Sequence, residues 1–261
     1  IVIFLTFILL PFVEMFYASL RPLNHLFRSP YQFYSDDLSF WAYSEMWNTV
    51  PRLGRYIFNS FFLASCVSIL TLLFVIPAAY SYARFNFPAK NATLYLLLAV
   101  NMFSGPVLII PLYKLLRALS LLNTYYAMIV PGVAFLIPTS IWLLKSYFQK
   151  IPIELEEAAL LDGASHLGSF LLIAIPLTIP AIVASSLIMF AFAWNEYLIV
   201  FSLSLFNETL PMYVRSGGLS SGFHFGGLAV RTMLTMLLPM ILAILAQKYI
   251  VQGLTLGAVK E

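Results

Sequence analysis

Long apolar stretches, separated by short polar segments, run along almost the whole chain. Their residues are continuously apolar rather than alternating, which is typical of helices and not of barrel strands. A helix needs about 20 such residues to cross a bilayer, and only helices and closed barrels satisfy the backbone in lipid. The stretches cover residues 1–20, 56–80, 93–112, 125–144, 170–203 and 230–251. The pattern therefore predicts an all-α membrane protein with six transmembrane helices.

Composition supports this prediction and excludes other classes. The chain is 61% hydrophobic and only 10% charged, too little polar surface to coat a soluble globule of 261 residues. We expect a single transmembrane domain over residues 1–261, embedded in the lipid bilayer. The net charge of +3 comes without a clustered basic stripe, so no nucleic-acid partner is indicated.

A polar island at residues 151–169 interrupts the apolar pattern between the fourth and fifth stretches. Pro152 suits the start of a helix, and the carboxylates that follow it favour the positive end of the helix dipole. We predict a helix of about three turns that ends near Leu161. The island holds four of the chain's 11 carboxylates, namely Glu154, Glu156, Glu157 and Asp162.

A sharp bend is predicted where this first short helix ends. Gly163 lies where a left-handed residue commonly closes a helix, and Ser165 can cap a second helix that begins at His166. On the first helix, one face carries Ile153, Glu157, Ala158 and Leu161. The small residues Ala158 and Ala159 would let another backbone approach closely. These features together predict a water-facing docking element.

Three segments of the chain resemble binding-protein-dependent ABC importer permeases. Glu157-Ala158-Ala159, Gly163, Ile173 and Pro176 match the "EAA" loop of that family in spacing, with Ile175 where leucine is usual. The segment AYSYARFNFPAK at residues 79–90 resembles the short cytoplasmic turn of the sugar-importing members. The tail at residues 247–260 resembles their C-terminal segment, which narrows the resemblance to the oligosaccharide branch.

The resemblance implies a type I ABC importer permease fold with cytoplasmic coupling helices. It implies that the loop at residues 151–169 lies in the cytoplasm and inserts into a groove on an ATP-binding subunit. The residues that would couple this chain to the ATPase are then Glu157, Ala158, Ala159, Asp162, Gly163 and Ser165.

The same resemblance implies a multi-subunit assembly in a bacterial inner membrane, with both termini cytoplasmic. Its other members would be a second homologous permease subunit, two ATP-binding subunits and an extracytoplasmic solute-binding protein that delivers a saccharide. ATP and magnesium would be bound by the partners and no cofactor by this chain. This orientation puts more lysine and arginine residues outside than inside, against the positive-inside rule, so the orientation rests on the motif.

The sequence contains no evident catalytic apparatus, so we do not expect an enzyme. The closest approach to a phosphate-binding loop, Gly163 to Gly168, is followed by Ser169 and Phe170 and lacks the required lysine. His25, His166 and His224 lie in separate loops, and the lone Cys66 excludes an intrachain disulfide. No metal site is predicted.

A second polar group, Trp194-Asn195-Glu196-Tyr197, lies inside the fifth apolar stretch. An ionisable side chain in a membrane helix costs several kcal/mol unless it faces water or a partner, so we hypothesise a functional role for Glu196. The group also resembles the "WNEF" segment of sugar-importer permeases. Its residues could line the substrate path, with the aromatic rings stacking on sugars, or contact the partner permease; the sequence leaves both open. Because the stretch exceeds a bilayer's thickness, we expect a bend at Pro176 and Pro180.

Two functional classes are consistent with these patterns. The first is the membrane subunit of an ATP-driven saccharide importer, and the alternative is an ion-coupled secondary carrier or channel for a small polar solute. Such carriers usually show internal repeats, and the sequence has no convincing one, which favours the importer. Arg215, His224 and Arg231 suggest an acidic cargo, whereas a neutral, maltose-like cargo remains equally open.

Overall fold

The structure is a computed structural model that describes residues 2–21, 37–103, 105–204, 208–216 and 225–255. Within these ranges the regular elements are helices and no strand is present. Two compact units can be distinguished: residues 1–60 with 208–241, and residues 61–207 with 242–261. The expectation of a single transmembrane domain stays a prediction.

The helices follow one another with short connections. In chain order they are α1 (Val2–Leu20), α2 (Trp41–Thr49), α3 (Leu53–Arg84), α4 (Lys90–Asn101), α5 (Gly105–Ala118), α6 (Tyr126–Phe148), α7 (Ile153–Leu161), α8 (His166–Ser169), a π-helical segment (Phe170–Ala174), α9 (Ile175–Trp194), α10 (Leu198–Leu203), α11 (Leu210–Ser216) and α12 (Phe225–Thr255).

Four of the described helices are long and apolar enough to cross a membrane. These are Leu53–Arg84, Tyr126–Phe148, His166–Trp194 and Leu228–Tyr249. A fifth span is present if α4 and α5, bent by 94° at a short break, form one broken span. The shorter apolar helix Phe4–Leu20 lies within the first predicted stretch. The count of six crossings therefore stays a prediction, while the all-helical membrane class is clear.

Two predicted spans are not continuous helices in the structure. The stretch at residues 93–112 is divided into α4 and α5, because Pro106 fits the first turn of a new helix and disfavours the continuation of the old one. The stretch at residues 170–203 breaks after Trp194. A π-helical segment directly precedes Pro176, and Pro180 lies inside α9; the bend expected at these prolines stays a prediction.

The first unit is held together by polar contacts between its helices. The hydroxyls of Ser19 and Tyr43 lie 2.8 Å apart, which ties α1 to α2. The backbone N–H of Leu210 donates to Ser60 Oγ at 2.7 Å, and the rings of Tyr56 and Tyr213 stack with centroids 5.2 Å apart. These contacts bring α11 against the beginning of α3.

The core of the second unit joins α3, α4, α6, the π-helical segment and α9. It consists of Val75, Ala79, Tyr80, Leu94, Ile141, Leu144, Phe148, Ala174 and Ala181. Small residues allow close approach elsewhere in the unit, since a Cβ added at Gly132 would lie 3.1 Å from Val67 Cγ2. This core lies at the C-terminal ends of α3 and α6, and the chain enters the polar island directly after α6.

Candidate functional site

The polar island folds into the bent helix pair that its sequence predicts. Helix α7 begins directly after Pro152 and ends at Leu161. Gly163 follows with φ +91°, and the N–H of Ala164 donates to Ala159 O at 2.9 Å, which closes the helix. Ser165 then accepts a hydrogen bond from the N–H of Gly168 at 3.1 Å and caps α8 at His166. The predicted bounds, bend and cap are confirmed.

One face of α7 is exposed. Ile153, Glu157, Ala158 and Leu161 all lie on it, as the helical spacing predicts, and Leu161 is 89% exposed. Asp162, Gly163 and Ser165 extend this exposed surface around the bend, whereas Ala159 is half-buried on the opposite side. The exposed face thus combines apolar, small and acidic side chains. It is accessible to a partner protein.

Glu156 and its neighbour Glu157 differ in exposure. The side chain of Glu156 lies on the inner side of α7 and is only 7% exposed. Its Oε1 accepts a hydrogen bond from Arg84 Nε at 2.8 Å and lies 2.8 Å from Arg84 Nη2 in the same ion pair. The Tyr80 hydroxyl donates to Oε2 of the same carboxylate at 2.6 Å. Arg84 Nη2 also donates to the backbone oxygen of Ile151 at 2.8 Å. We call Tyr80, Arg84 and Glu156 the anchor cluster.

Aromatic rings surround the anchor cluster. The ring of Tyr80 lies 5.6 Å from that of Phe148 at the end of α6, and 4.6 Å from that of Phe170 in the π-helical segment. Phe85 contacts Tyr80 at 5.9 Å and the His166 ring at 6.0 Å. The end of α3 therefore meets the end of α6, the loop and the beginning of the fifth span in one place.

The anchor cluster is not predicted by the sequence pattern, although one part of it leaves a local signal. Consecutive residues of a helix point about 100° apart, so Glu156 and Glu157 cannot face the same direction. Glu156 shares a side with the half-buried Ala159 and Leu160, which marks it as the inward carboxylate. Nothing local indicated that Arg84 and Tyr80 would be its partners.

The second predicted group lies at the break between α9 and α10. Glu196 Oε1 accepts from the N–H of Ile199 at 2.9 Å and so caps the beginning of α10. Asn195 Nδ2 donates to the carbonyl oxygen of Ala191 at 2.8 Å, at the end of α9. Glu196 therefore satisfies an N–H in the first turn of α10 that has no helical partner. Asn195 adds a second bond to an oxygen that already accepts the backbone N–H of Asn195 at 3.2 Å.

Each aromatic ring of this group stacks on a ring four residues away in the sequence. Trp194 is only 2% exposed and stacks on Phe190, with ring centroids 5.8 Å apart. Tyr197 is half-buried and stacks on Phe201 at 5.4 Å. The indole is almost fully buried in this conformation, and its predicted stacking on a sugar stays a prediction. The substrate-path role of Asn195, Glu196 and Tyr197 stays a prediction.

The remaining candidates are more dispersed. Among the described residues, no three His, Cys, Asp or Glu side chains gather as a metal site would require. The Arg231 guanidinium lies 4.9 Å from the Tyr213 ring centroid, and Arg215 is exposed near the end of α11. His25, His224 and the last part of the C-terminal motif lie outside the described residues. His166 is exposed at the start of α8.

Long apolar helices, two of which are joined by a bent pair of short helices with an exposed face, define the class: a helical membrane permease. The chain belongs to the family of binding-protein-dependent transport system inner membrane components, whose model matches residues 42–256. Members of this family are permease subunits of importers, and ATP hydrolysis lies in separate subunits. The chain is therefore a membrane-spanning permease and not an enzyme.

Individual relatives agree with the family assignment. The chain is 30% identical over 257 residues to the sulfoquinovosyl glycerol transport system permease protein SmoH of Agrobacterium fabrum, covering 97% of this chain and 89% of that protein. It is 35% identical over 211 residues to the trehalose/maltose transport system permease protein MalG of Thermococcus litoralis, covering 78% and 75%.

Among solved structures, the chain resembles one described as a bacterial ABC transporter involved in the import of the acidic polysaccharide alginate. The TM-score is 0.79 at 21% identity, with 95% of this chain and 92% of that chain covered. At this identity the likeness concerns the fold alone. It confirms the expected permease fold.

Proposed function

We propose that this chain is the membrane-spanning subunit of an ATP-driven importer that moves a sugar or oligosaccharide. The names of its relatives support the substrate class, since they include permeases for sulfoquinovosyl glycerol, for trehalose/maltose and for arabinooligosaccharides. The secondary carrier or channel is not favoured, because the chain belongs to a binding-protein-dependent family.

The coupling proposal rests on the exposed face of α7 and on the bend that follows this helix. Leu161 offers an apolar tip that is 89% exposed, and Glu157 offers a carboxylate one turn before it. In this proposal α7 inserts into a groove of an ATP-binding subunit. Glu157, Ala158, Asp162, Gly163 and Ser165 line the contact, and the small side chain of Ala159 keeps α7 close to the membrane helices.

The proposed assembly contains a second homologous permease, two ATP-binding subunits that hold ATP and magnesium, and an extracytoplasmic solute-binding protein. The docking loop then lies in the cytoplasm, and both termini lie on the same side of a bacterial inner membrane. ATP binding and delivery of the saccharide would favour the same arrangement of the spans, so the two ligands act cooperatively.

The most specific part of the proposal is the charge of the transported saccharide. An acidic saccharide is supported by Arg215 and Arg231 and by the sulfoquinovosyl glycerol in the name of one relative. The trehalose/maltose permease supports a neutral cargo instead. Uptake of charged and neutral oligosaccharides at several salt concentrations tests this, and uptake of neutral ones only would exclude the acidic cargo.

Copurification tests the coupling proposal. Leu161→Ser removes the apolar tip without disturbing the core, so we expect the purified permease to lose its ATP-binding subunits. Leu119→Ser is the matched control, because Leu119 is 58% exposed but lies just after α5, away from the docking loop. This control should retain the ATP-binding subunits in full.

Two results would overturn the proposal. If both leucine variants retain a stoichiometric ATPase and normal uptake, the exposed face of α7 is not the docking surface. If uptake by the unmodified protein follows an ion gradient and continues without any ATPase, the chain is a secondary carrier.

A further inference from the structure

Glu156 and Glu157 are adjacent in sequence but occupy opposite environments, and the proposed docking uses only Glu157. Glu156 is buried with Arg84, whose side chain is 10% exposed. A buried ion pair adds little to stability, since desolvation of both charges offsets most of their attraction. What such a pair does supply is direction, because the planar guanidinium holds a carboxylate in a defined orientation. A pair with this geometry is suited to fix the orientation of α7.

Arg84 donates hydrogen bonds to the loop at two points. It donates to the Ile151 carbonyl oxygen, just before α7, and to the Glu156 carboxylate within α7, each at 2.8 Å. These partners lie 67 and 72 residues away in the sequence. The beginning of α7 is therefore tied to the last residue of α3 and cannot rotate freely about its own axis.

Tyr80 extends the same attachment to two further helices. Its hydroxyl bonds Glu156, while its ring packs against Phe148 of α6 and Phe170 of the π-helical segment. The π-helical segment begins the fifth span and has an irregular hydrogen-bond ladder, a feature often found at functional sites. A displacement of α7 would reach three membrane helices through this one tyrosine and its neighbours.

We propose that Tyr80, Arg84 and Glu156 are positioning residues that lock α7 to the membrane helices, so that displacement of α7 moves the ends of α3, α6 and the fifth span together. This inference rests on the proposed function, in which an ATP-binding subunit displaces the exposed face of α7. The outward face receives the force, and the buried anchor cluster transmits it.

A distance measurement in the purified protein tests the lock directly. Spin labels are placed at Leu73→Cys on the exposed side of α3 and at Asp162→Cys in the bend, with Cys66→Ser as background. In the unmodified anchor cluster we expect one narrow distance distribution. Glu156→Gln should broaden it, and the matched control Glu154→Gln should not, because Glu154 is exposed on the same helix.

A double variant separates positioning from stability. Arg84→Met with Glu156→Met replaces the ion pair by apolar groups, which commonly preserves stability. We expect this protein to fold and to retain its ATP-binding subunits, but to show a broad distance distribution. The saccharide transported per ATP hydrolysed should fall by roughly 2- to 30-fold, the usual range for coupling residues. Tyr80→Phe, which removes only the hydroxyl, should lie between this variant and the unmodified protein.

The outcomes distinguish this inference from the proposed function. Unchanged distances and unchanged transport per ATP in the double variant would overturn the lock and leave a purely structural ion pair. Loss of protein stability in proportion to transport would overturn it as well. If the unmodified chain binds no ATP-binding subunit, the proposed function fails, while the distance measurement still decides whether the cluster fixes α7.

Discussion

The two polar interruptions of the apolar sequence, the island at residues 151–169 and the group at residues 194–197, use opposite arrangements. In the island a charge, Glu156, is buried and an apolar side chain, Leu161, is exposed. In the group at the helix break the large apolar side chain, Trp194, is buried and the polar side chains serve the nearby backbone.

The two groups differ in the sequence distance over which their contacts are made. Local folding explains the break, because its polar groups satisfy the nearby backbone and its indole is packed. The buried Glu156 instead needs Arg84 and Tyr80 of another helix. A buried ionisable group with distant partners is the more informative departure from the usual burial pattern, whereas a single exposed leucine is not.

Trp194→Ala should have the largest effect on the stability of the chain. Removing a nearly fully buried indole should lower the free energy of unfolding by about 3–5 kcal/mol. Tyr197→Ala, at a half-buried ring of the same group, should cost less. Thermal unfolding of the purified protein in detergent measures both. Unchanged stability of Trp194→Ala with lost uptake would instead support a sugar-stacking role for the indole.

Gly163→Ala should have the second largest effect on stability, and this effect should be confined to the bend. An added Cβ would meet nothing within 4 Å, so the cost arises from the left-handed backbone alone and should be about 1–2 kcal/mol. Gly168→Ala is the matched control, because Gly168 lies in α8 without a positive φ and its Cβ would make ordinary contacts. Equal unfolding midpoints for the two variants would contradict the observed bend.

Ser165→Ala should destabilise the chain by about 1 kcal/mol, since it removes the cap that satisfies the Gly168 N–H. Ser165→Asp should retain the cap and nearly all of the stability. The same unfolding assay compares them. A loss in Ser165→Asp equal to that in Ser165→Ala would show that the hydroxyl serves another contact.

Glu196→Gln should have the smallest effect, below about 0.5 kcal/mol, because the amide oxygen of glutamine can still accept the bond from Ile199 N–H. Glu196→Ala should cost about 1 kcal/mol through loss of the cap. Normal uptake and normal assembly of Glu196→Gln would exclude roles for the charge in the substrate path and at the partner permease. Abolished uptake with intact stability would show that the charge itself acts on the substrate.

Hydropathy located the membrane helices but not their interruptions. The third predicted stretch is bent by 94° and the fifth breaks at Asn195, although both read as continuous apolar sequence. Average hydropathy reports how well a segment suits lipid and contains nothing about the direction of its axis. Only the proline and glycine near residue 105, and the polar group after Trp194, marked the places where the helices end.

The amino-acid sequence by itself determined the bent helix pair, from Pro152 at its start to the left-handed Gly163 and the cap at Ser165. Each of these depends on hydrogen bonds between residues only a few positions apart. The tertiary structure alone decided that Glu156 pairs with Arg84 and Tyr80, because those partners lie 72 and 76 positions away. Such a contact exists only after the membrane helices have packed, so no local pattern could specify it.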